Sequence, residues 1–187
     1  MKMKRTFIAI KVPISEQTAE FIEDIKDELT NEKIRWVDTQ NLHLTLYFLG
    51  DTKENLIEEI GDKLEFQLKG FKEFNIICKG VGLFRNIHNP KVLWLGINNS
   101  TELNELKNQV NNVVEELRYP KEERNFKPHL TLGRMKYIKK KDTLQDVLSQ
   151  YENADIQEFK IDEVIFYESE LTPGGAIYKV LRKIALR

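Results

Sequence analysis

The chain of 187 residues has little of several features that would assign a protein to a class at once. Its single cysteine, Cys78, excludes an internal disulfide framework and any metal site built from several cysteines. No apolar run approaches the roughly 18 residues that a membrane-spanning helix needs, and the short apolar run before Lys11 is too brief for a signal peptide. We therefore expect a cytoplasmic protein without a membrane partner.

A strong charge of one sign is also missing. The formal net charge is −1, which argues against a protein that coats long nucleic acids through a broad basic surface. The exception is the segment 118–141, where nine lysines and arginines against two acidic residues give a local charge of +7. Such a run is either a solvated surface or a local anion-binding site.

Histidine is scarce as well, yet two of the three histidines lie in the same tetrapeptide. His-Leu-Thr-Leu begins at His43 and again 86 positions later at His129. Side chains alternate between the two faces of a strand, so each histidine should share a face with the threonine two residues on, Thr45 or Thr131. The leucines should point to the core, which leaves the two His/Thr pairs free to line one cleft.

The similarity between the halves extends beyond the tetrapeptide. TFIAIKV and VLWLGIN read as strands, and TAEFIEDIKDEL and ELNELKNQVNNVVEEL have helical periodicity. KENLIEEIGDKLEF and KDTLQDVLSQYEN are predicted to be helices, and FNIICKGVGLF, FKIDEVIFYES and AIYKVLRKIAL to be one strand each. This pattern predicts an α+β fold with two pseudo-symmetric lobes, each a mainly antiparallel sheet flanked by helices, around a central cleft. We expect a single domain over residues 1–187, with duplicated lobes at about 1–90 and 91–187 that can exchange their terminal strands.

Two histidines without further metal ligands favour acid–base chemistry. A metal site usually has three or more ligands, and the sequence has no Gly-x-Ser-x-Gly nucleophile motif. Two imidazoles can act as acid and base near neutral pH. Threonine hydroxyls can donate to oxyanions, and Arg134, just beyond the second motif, is suited to phosphate. The sequence therefore predicts a metal-independent phosphodiester site.

These motifs resemble the doubled His-x-Thr signature of the two-histidine (2H) phosphoesterase superfamily. The surrounding segments RTFIAI, RWVDTQNLHLTLYFLG, VLWLGI, FKPHLTLGR and YESELTPGGAIY are similar to its RNA 2',3'-cyclic phosphodiesterase branch, also called the 2'-5' RNA ligase family. The resemblance implies that His43 donates a proton to the departing ribose oxygen and that His129 accepts one from water. It further implies that Thr45, Thr131 and Arg134 bind the phosphate.

The reaction implied by the resemblance is hydrolysis of a 2',3'-cyclic phosphodiester, at RNA or oligonucleotide ends, to a 2'-phosphomonoester. The partners would be RNA ends or nucleoside 2',3'-cyclic phosphates, with no cofactor and no metal, and a monomer is expected. Two alternatives stay open. One is an ATP-independent, reversible 2'-5' RNA ligase, since the sequence has no glycine-rich nucleotide-binding loop. The other is a module that binds RNA ends without turnover.

Overall fold

The computed structural model describes residues 2–120, 122 and 125–187. Within them, four α-helices and nine β-strands form an α+β fold, which confirms the predicted class. The strands are β1 (Met3–Lys11), β2 (Lys33–Trp36), β3 (His43–Lys53), β4 (Phe74–Phe84), β5 (Val92–Ile97), β6 (His129–Tyr137), β7 (Asp155–Ile161), β8 (Glu163–Thr172) and β9 (Gly175–Ala185). The helices are α1 (Glu16–Glu28), α2 (Ile57–Gln67), α3 (Thr101–Glu116) and α4 (Lys141–Tyr151).

Serine caps fix the start of two helices. The Ser15 hydroxyl accepts a hydrogen bond from the Thr18 amide at 3.2 Å, and the Ser100 hydroxyl accepts one from the Leu103 amide at 3.1 Å. Each bond satisfies an amide that has no partner within the first turn of its helix. The apolar residues that gave α1 and α3 their period are mostly buried, as the sequence predicts.

The nine strands form one antiparallel sheet in the order β7-β4-β5-β6-β3-β1-β8-β9, with β2 paired to β6. The two histidine strands, β3 and β6, are joined through a single residue pair, Leu44 opposite Leu130. From Gly133 onward, the neighbour of β6 on this side is β2 instead. The two His-Leu-Thr-Leu segments therefore lie side by side at the centre of the sheet.

The leucines of both motifs point into the core, as strand alternation predicts. Leu42, Leu44, Leu46, Leu130 and Leu132 are each 2% exposed or less. The histidines and threonines between them are only partly buried, on the opposite face. The burial of the leucines thus fixes which face of the sheet carries the candidate catalytic groups.

One predicted strand is two strands in the structure. FKIDEVIFYES was expected to be continuous, but the chain breaks at Asp162 between β7 and β8. β7 pairs with β4 at one end of the sheet, whereas β8 pairs with β1 towards the other end. The apolar residues on both sides of the break are buried, which made the segment look uninterrupted in the sequence.

The sheet mixes strands from the two halves of the chain. β4 precedes residue 90 yet lies between β5 and β7, while β8 and β9 extend the sheet beyond β1. The division into two duplicated lobes stays a prediction. Across the described ranges, no helix combines the length and apolar character required to traverse a lipid bilayer.

Candidate active site

Both motif histidines are held in the same way. The ring Nδ1–H of His43 donates to the carbonyl of Asn41 at 2.7 Å, and that of His129 donates to the carbonyl of Lys127, also at 2.7 Å. A carbonyl can only accept, so this contact fixes the hydrogen on Nδ1 in the neutral ring. In this tautomer each Nε2 carries the lone pair of the ring and can accept a hydrogen bond.

The fold brings the two His/Thr pairs together. Leu44 and Leu130, the residues that join β3 to β6, each lie between a motif histidine and its threonine. A charge on His129 lowers the pKa of His43, so the two rings lie within electrostatic reach of each other. The structure therefore places the imidazoles of both motifs at one site, with Thr45 and Thr131 on the same face of the sheet.

Arg134 reaches this face through a β-bulge. Its spacing of three from Thr131 would put the two side chains on opposite faces of a regular strand. In β6, however, Thr131 pairs with Trp94 and Gly133 with Leu93, which leaves Leu132 as an extra residue. Arg134 was expected just beyond the strand; it lies inside β6, exposed between two buried residues and on the side of the histidines.

Burial makes both histidines weaker bases than usual. It is the main cause that lowers the pKa of His43 below the ordinary 6.5, with a smaller lowering from His129. Burial also lowers the pKa of His129, and the positive charge of Arg134 lowers it further. In both rings the bond to a backbone carbonyl partly opposes the shift. Without substrate, both rings are therefore mostly neutral at pH 7.

Aromatic rings hold each imidazole from the side. The His43 ring centroid lies 5.0 Å from that of Phe7 and 5.1 Å from that of Tyr178, which meets it edge-on. The His129 ring lies 4.5 Å from Phe84, also edge-on. Phe7 was not singled out in the sequence, where it looks like any apolar strand residue. Tyr178, whose pKa is raised mainly by burial, also lies within the electrostatic reach of Arg134.

A small cavity adjoins His43. Its volume is about 160 Å³, and its lining includes Lys11, Asn41, Tyr167, Tyr178 and Lys183. Lys11 and two tyrosine rings give it a cationic and an aromatic surface, which suit a nucleotide better than an uncharged apolar ligand, while Lys183 is paired with Glu163 at 3.2 Å. The candidate site thus has space beside the reacting groups.

His88 and Cys78 lie outside the site. His88 is exposed in a turn, where its amide donates to the Asn86 side chain at 3.0 Å. Cys78 is fully buried in the core, and burial raises the pKa of its thiol to about 12, so it is not a nucleophile. Phe48, in contrast, lies on the face of the histidines: it is 45% exposed, and its ring stacks on that of Phe7, next to His43.

Within the basic segment 118–141, Arg134 lies in the candidate site, whereas Lys121, Glu123 and Arg124 lie outside the described residues. Across residues 2–120, 122 and 125–187, no group of three or more His, Cys, Asp or Glu side chains is arranged to hold a metal ion. The candidate site is therefore built from imidazole, hydroxyl and guanidinium groups.

Comparison with known proteins identifies relatives along nearly the whole chain. Residues 14–173 match the family model of the 2'-5' RNA ligase superfamily. The chain is 37% identical to the RNA 2',3'-cyclic phosphodiesterase of Thermotoga maritima over 179 residues, covering 95% of this chain and 92% of the relative. It is 35% identical to the enzyme of the same name from Methanocaldococcus jannaschii, covering 96% and 99%.

Solved structures share the fold. The protein TT0787 of Thermus thermophilus superposes with a TM-score of 0.81 at 26% identity, covering 98% of each chain. LigT of E. coli complexed with 3'-AMP gives a TM-score of 0.74 at 23% identity over 99% of each chain, a likeness of fold alone. Together with the doubled histidine motif, these matches confirm the resemblance: the chain belongs to the 2'-5' RNA ligase superfamily.

Proposed function

We propose that the protein is an RNA 2',3'-cyclic phosphodiesterase that uses two histidines and no metal. The main observation behind this proposal is that His43 and His129 are held in the same way where β3 meets β6. In each ring Nδ1 is bonded to a backbone carbonyl, which leaves Nε2 for the substrate. The names of the relatives from Thermotoga and Methanocaldococcus support this activity. The substrate would be the strained cyclic phosphate at an RNA or oligonucleotide end, and the product a 2'-phosphomonoester.

The electrostatics support a different role for each histidine. Burial lowers the pKa of His129, and the charge of Arg134, which is not among the causes that act on His43, lowers it further and so favours the neutral ring and hence a base. His129 Nε2 would take a proton from water as the water oxygen attacks phosphorus. His43, protonated on Nε2, would give its proton to the 3' oxygen as the bond from phosphorus to that oxygen breaks. The negative phosphate favours this protonated form, since an opposite charge nearby raises a pKa.

The phosphate would be held by the groups on the same face of the sheet. Thr45 and Thr131 can donate hydroxyl hydrogens to the non-bridging oxygens, one from each side. Arg134 adds a charged fork that matches two phosphate oxygens. Donors fixed on strands need little rearrangement as charge develops in the transition state, which is how such a site lowers the barrier without a metal ion.

Joining of RNA ends is the second candidate, because the family model carries the name 2'-5' RNA ligase. In that reaction a 5' hydroxyl would attack the 2',3'-cyclic phosphate in place of water: His129 would take the proton of the hydroxyl, and His43 would give one to the departing 3' oxygen. Water is present in great excess over RNA ends, so hydrolysis should dominate. A readily reversible reaction without ATP is expected for any joining that occurs.

A product assay tests the proposal. Adenosine 2',3'-cyclic phosphate should be converted to adenosine 2'-phosphate, separated by chromatography from the 3' isomer. His43→Asn and His129→Asn should each slow the reaction by about 100-fold or more, while His88→Asn, at an exposed turn, should not change it. Absence of hydrolysis by the wild type, or full activity of either motif variant, would contradict the proposal.

A further inference from the structure

Two arginines stand side by side on adjacent strands at the rim of the site. In the pairing of β2 with β6, Arg35 lies opposite Arg134. The neighbours of Arg35 on β2, Ile34 and Trp36, pack against the core. Because side chains alternate, Arg35 shares the exposed face with Arg134, which is also the face of His129.

This pair lacks a compensating charge within the parts of the chain that the structure describes. No ion pair with a carboxylate is formed there by Arg35 or Arg134, although like charges directly opposite each other destabilise a sheet. Arg182, by contrast, pairs with three carboxylates of α2. Two adjacent guanidinium groups without a counter-charge indicate an anionic ligand with more than one charge.

Arg35 extends this positive surface beyond the reacting phosphate. One of its guanidinium nitrogens, Nη2, lies 3.8 Å from the position that a Cβ on Gly175 would occupy, at the turn between β8 and β9. Arg134 instead influences both His129 and Tyr178, next to His43. The two arginines therefore face different parts of the surface. Arg134 faces the histidines, and Arg35 faces the β8–β9 turn.

We propose that Arg35 binds a second phosphate, the phosphodiester on the 5' side of the terminal nucleotide, and so selects RNA ends over free nucleoside cyclic phosphates. This inference rests on the proposed function, because it takes the cyclic phosphate to lie between the histidines. A cyclic phosphate carries one negative charge, which Arg134 matches. The next phosphodiester of the strand carries another, and a planar guanidinium suits its oxygens. The preferred substrate has at least two nucleotides.

The test compares a short and a long substrate. We would measure kcat/KM for adenosine 2',3'-cyclic phosphate and for the dinucleotide ApA ending in a 2',3'-cyclic phosphate. Arg35→Gln should lower the value for the dinucleotide by about tenfold and that for the mononucleotide by less than about twofold. For the dinucleotide, kcat/KM of Arg35→Lys should lie between the values of the wild type and of Arg35→Gln, since lysine keeps the charge but loses the planar fork of the guanidinium. Lys69→Gln, exposed after α2, removes the same charge and should change neither value.

Equal losses on both substrates would overturn the proposal, because Arg35 would then act at the reacting phosphate. Unchanged values on both would overturn it as well. If the wild type hydrolysed neither substrate, the proposed function would fail, and binding would decide the role of Arg35. Calorimetry with ApA carrying a 3'-phosphate and with 3'-AMP should show tighter binding of the dinucleotide, lost in Arg35→Gln. Equal affinities in the wild type would refute the second phosphate site.

Discussion

Raising the pH of the assay from about 5 to about 9 should first increase and then decrease kcat/KM, since the proposed mechanism needs one neutral and one protonated histidine. Burial lowers the pKa of both His43 and His129 below 6.5. The maximum for the free enzyme should therefore lie on the acidic side of pH 6.5. Above it, kcat/KM should fall by about tenfold for each pH unit, as the protonated acid becomes scarce.

Variants assign the two limbs of this profile. His43→Asn should remove the falling limb, and His129→Asn the rising limb, each at a strongly reduced rate. Arg134→Gln should move the rising limb to higher pH, because the positive charge that lowers the pKa of His129 is gone. Lys69→Gln, a remote exposed site, should leave the profile in place. Initial rates at low substrate concentration, in buffers of constant ionic strength, give kcat/KM directly.

The profile of kcat should lie at higher pH than that of kcat/KM. A bound phosphate brings a negative charge to both imidazoles and raises their pKa values in the complex. A value of kcat/KM that stays constant from about pH 6.5 to 8.5 would refute the pair of buried histidines as acid and base. A profile that keeps both limbs in either single variant would refute the assignment of roles.

The other predictions concern metal ions, the histidine pair, the anion site and packing. Hydrolysis should survive excess EDTA; activity that is lost and then restored by a divalent ion would contradict the two-histidine mechanism. His43→Ala and His129→Ala should each cost about 100-fold or more in rate, and the double variant much less than the product, since the pair acts as a unit. Arg134→Lys should lower kcat/KM by about tenfold, whereas unchanged kinetics would make Arg134 a solvated charge. Gly82→Ala should lower the free energy of unfolding in urea by about 1–3 kcal/mol, because its Cβ would lie 2.3 Å from the Trp94 ring, and an unchanged midpoint would refute that contact.

The alternation of residues along the strands was enough to predict which face of the sheet carries the histidines. His43 and Thr45 alternate with leucines that are almost completely buried, so the sequence indicates both the strand and its exposed face. The same holds for His129 and Thr131. A period of two is a strong signal because a shift by one residue would expose every leucine. The α+β class followed from the same reasoning applied along the chain.

Contacts between distant segments were beyond this reasoning. The four residues of β2 have no clear strand signal, yet they place Arg35 opposite Arg134 through their pairing with β6. Phe7 approaches His43 only because β1 lies beside β3. The break at Asp162 also depends on tertiary structure, since β7 and β8 pair with different strands. None of these relations is encoded in local periodicity.

The position of Arg134 depends both on the alternation of residues along β6 and on the pairing of β6 with its neighbours. It also bears on the origin of the two halves of the chain. Leu132 is the extra residue of the bulge in β6, and Leu46, 86 positions earlier, is the extra residue where β3 pairs with β1. Both bulges turn the third residue after the threonine, Arg134 or Phe48, towards the histidine face. A bulge at the same position of each motif is a specific backbone feature, which two unrelated strands have no reason to share. The duplication of the lobes stays a prediction, and at these equivalent positions the second motif has a guanidinium group where the first has a phenyl ring.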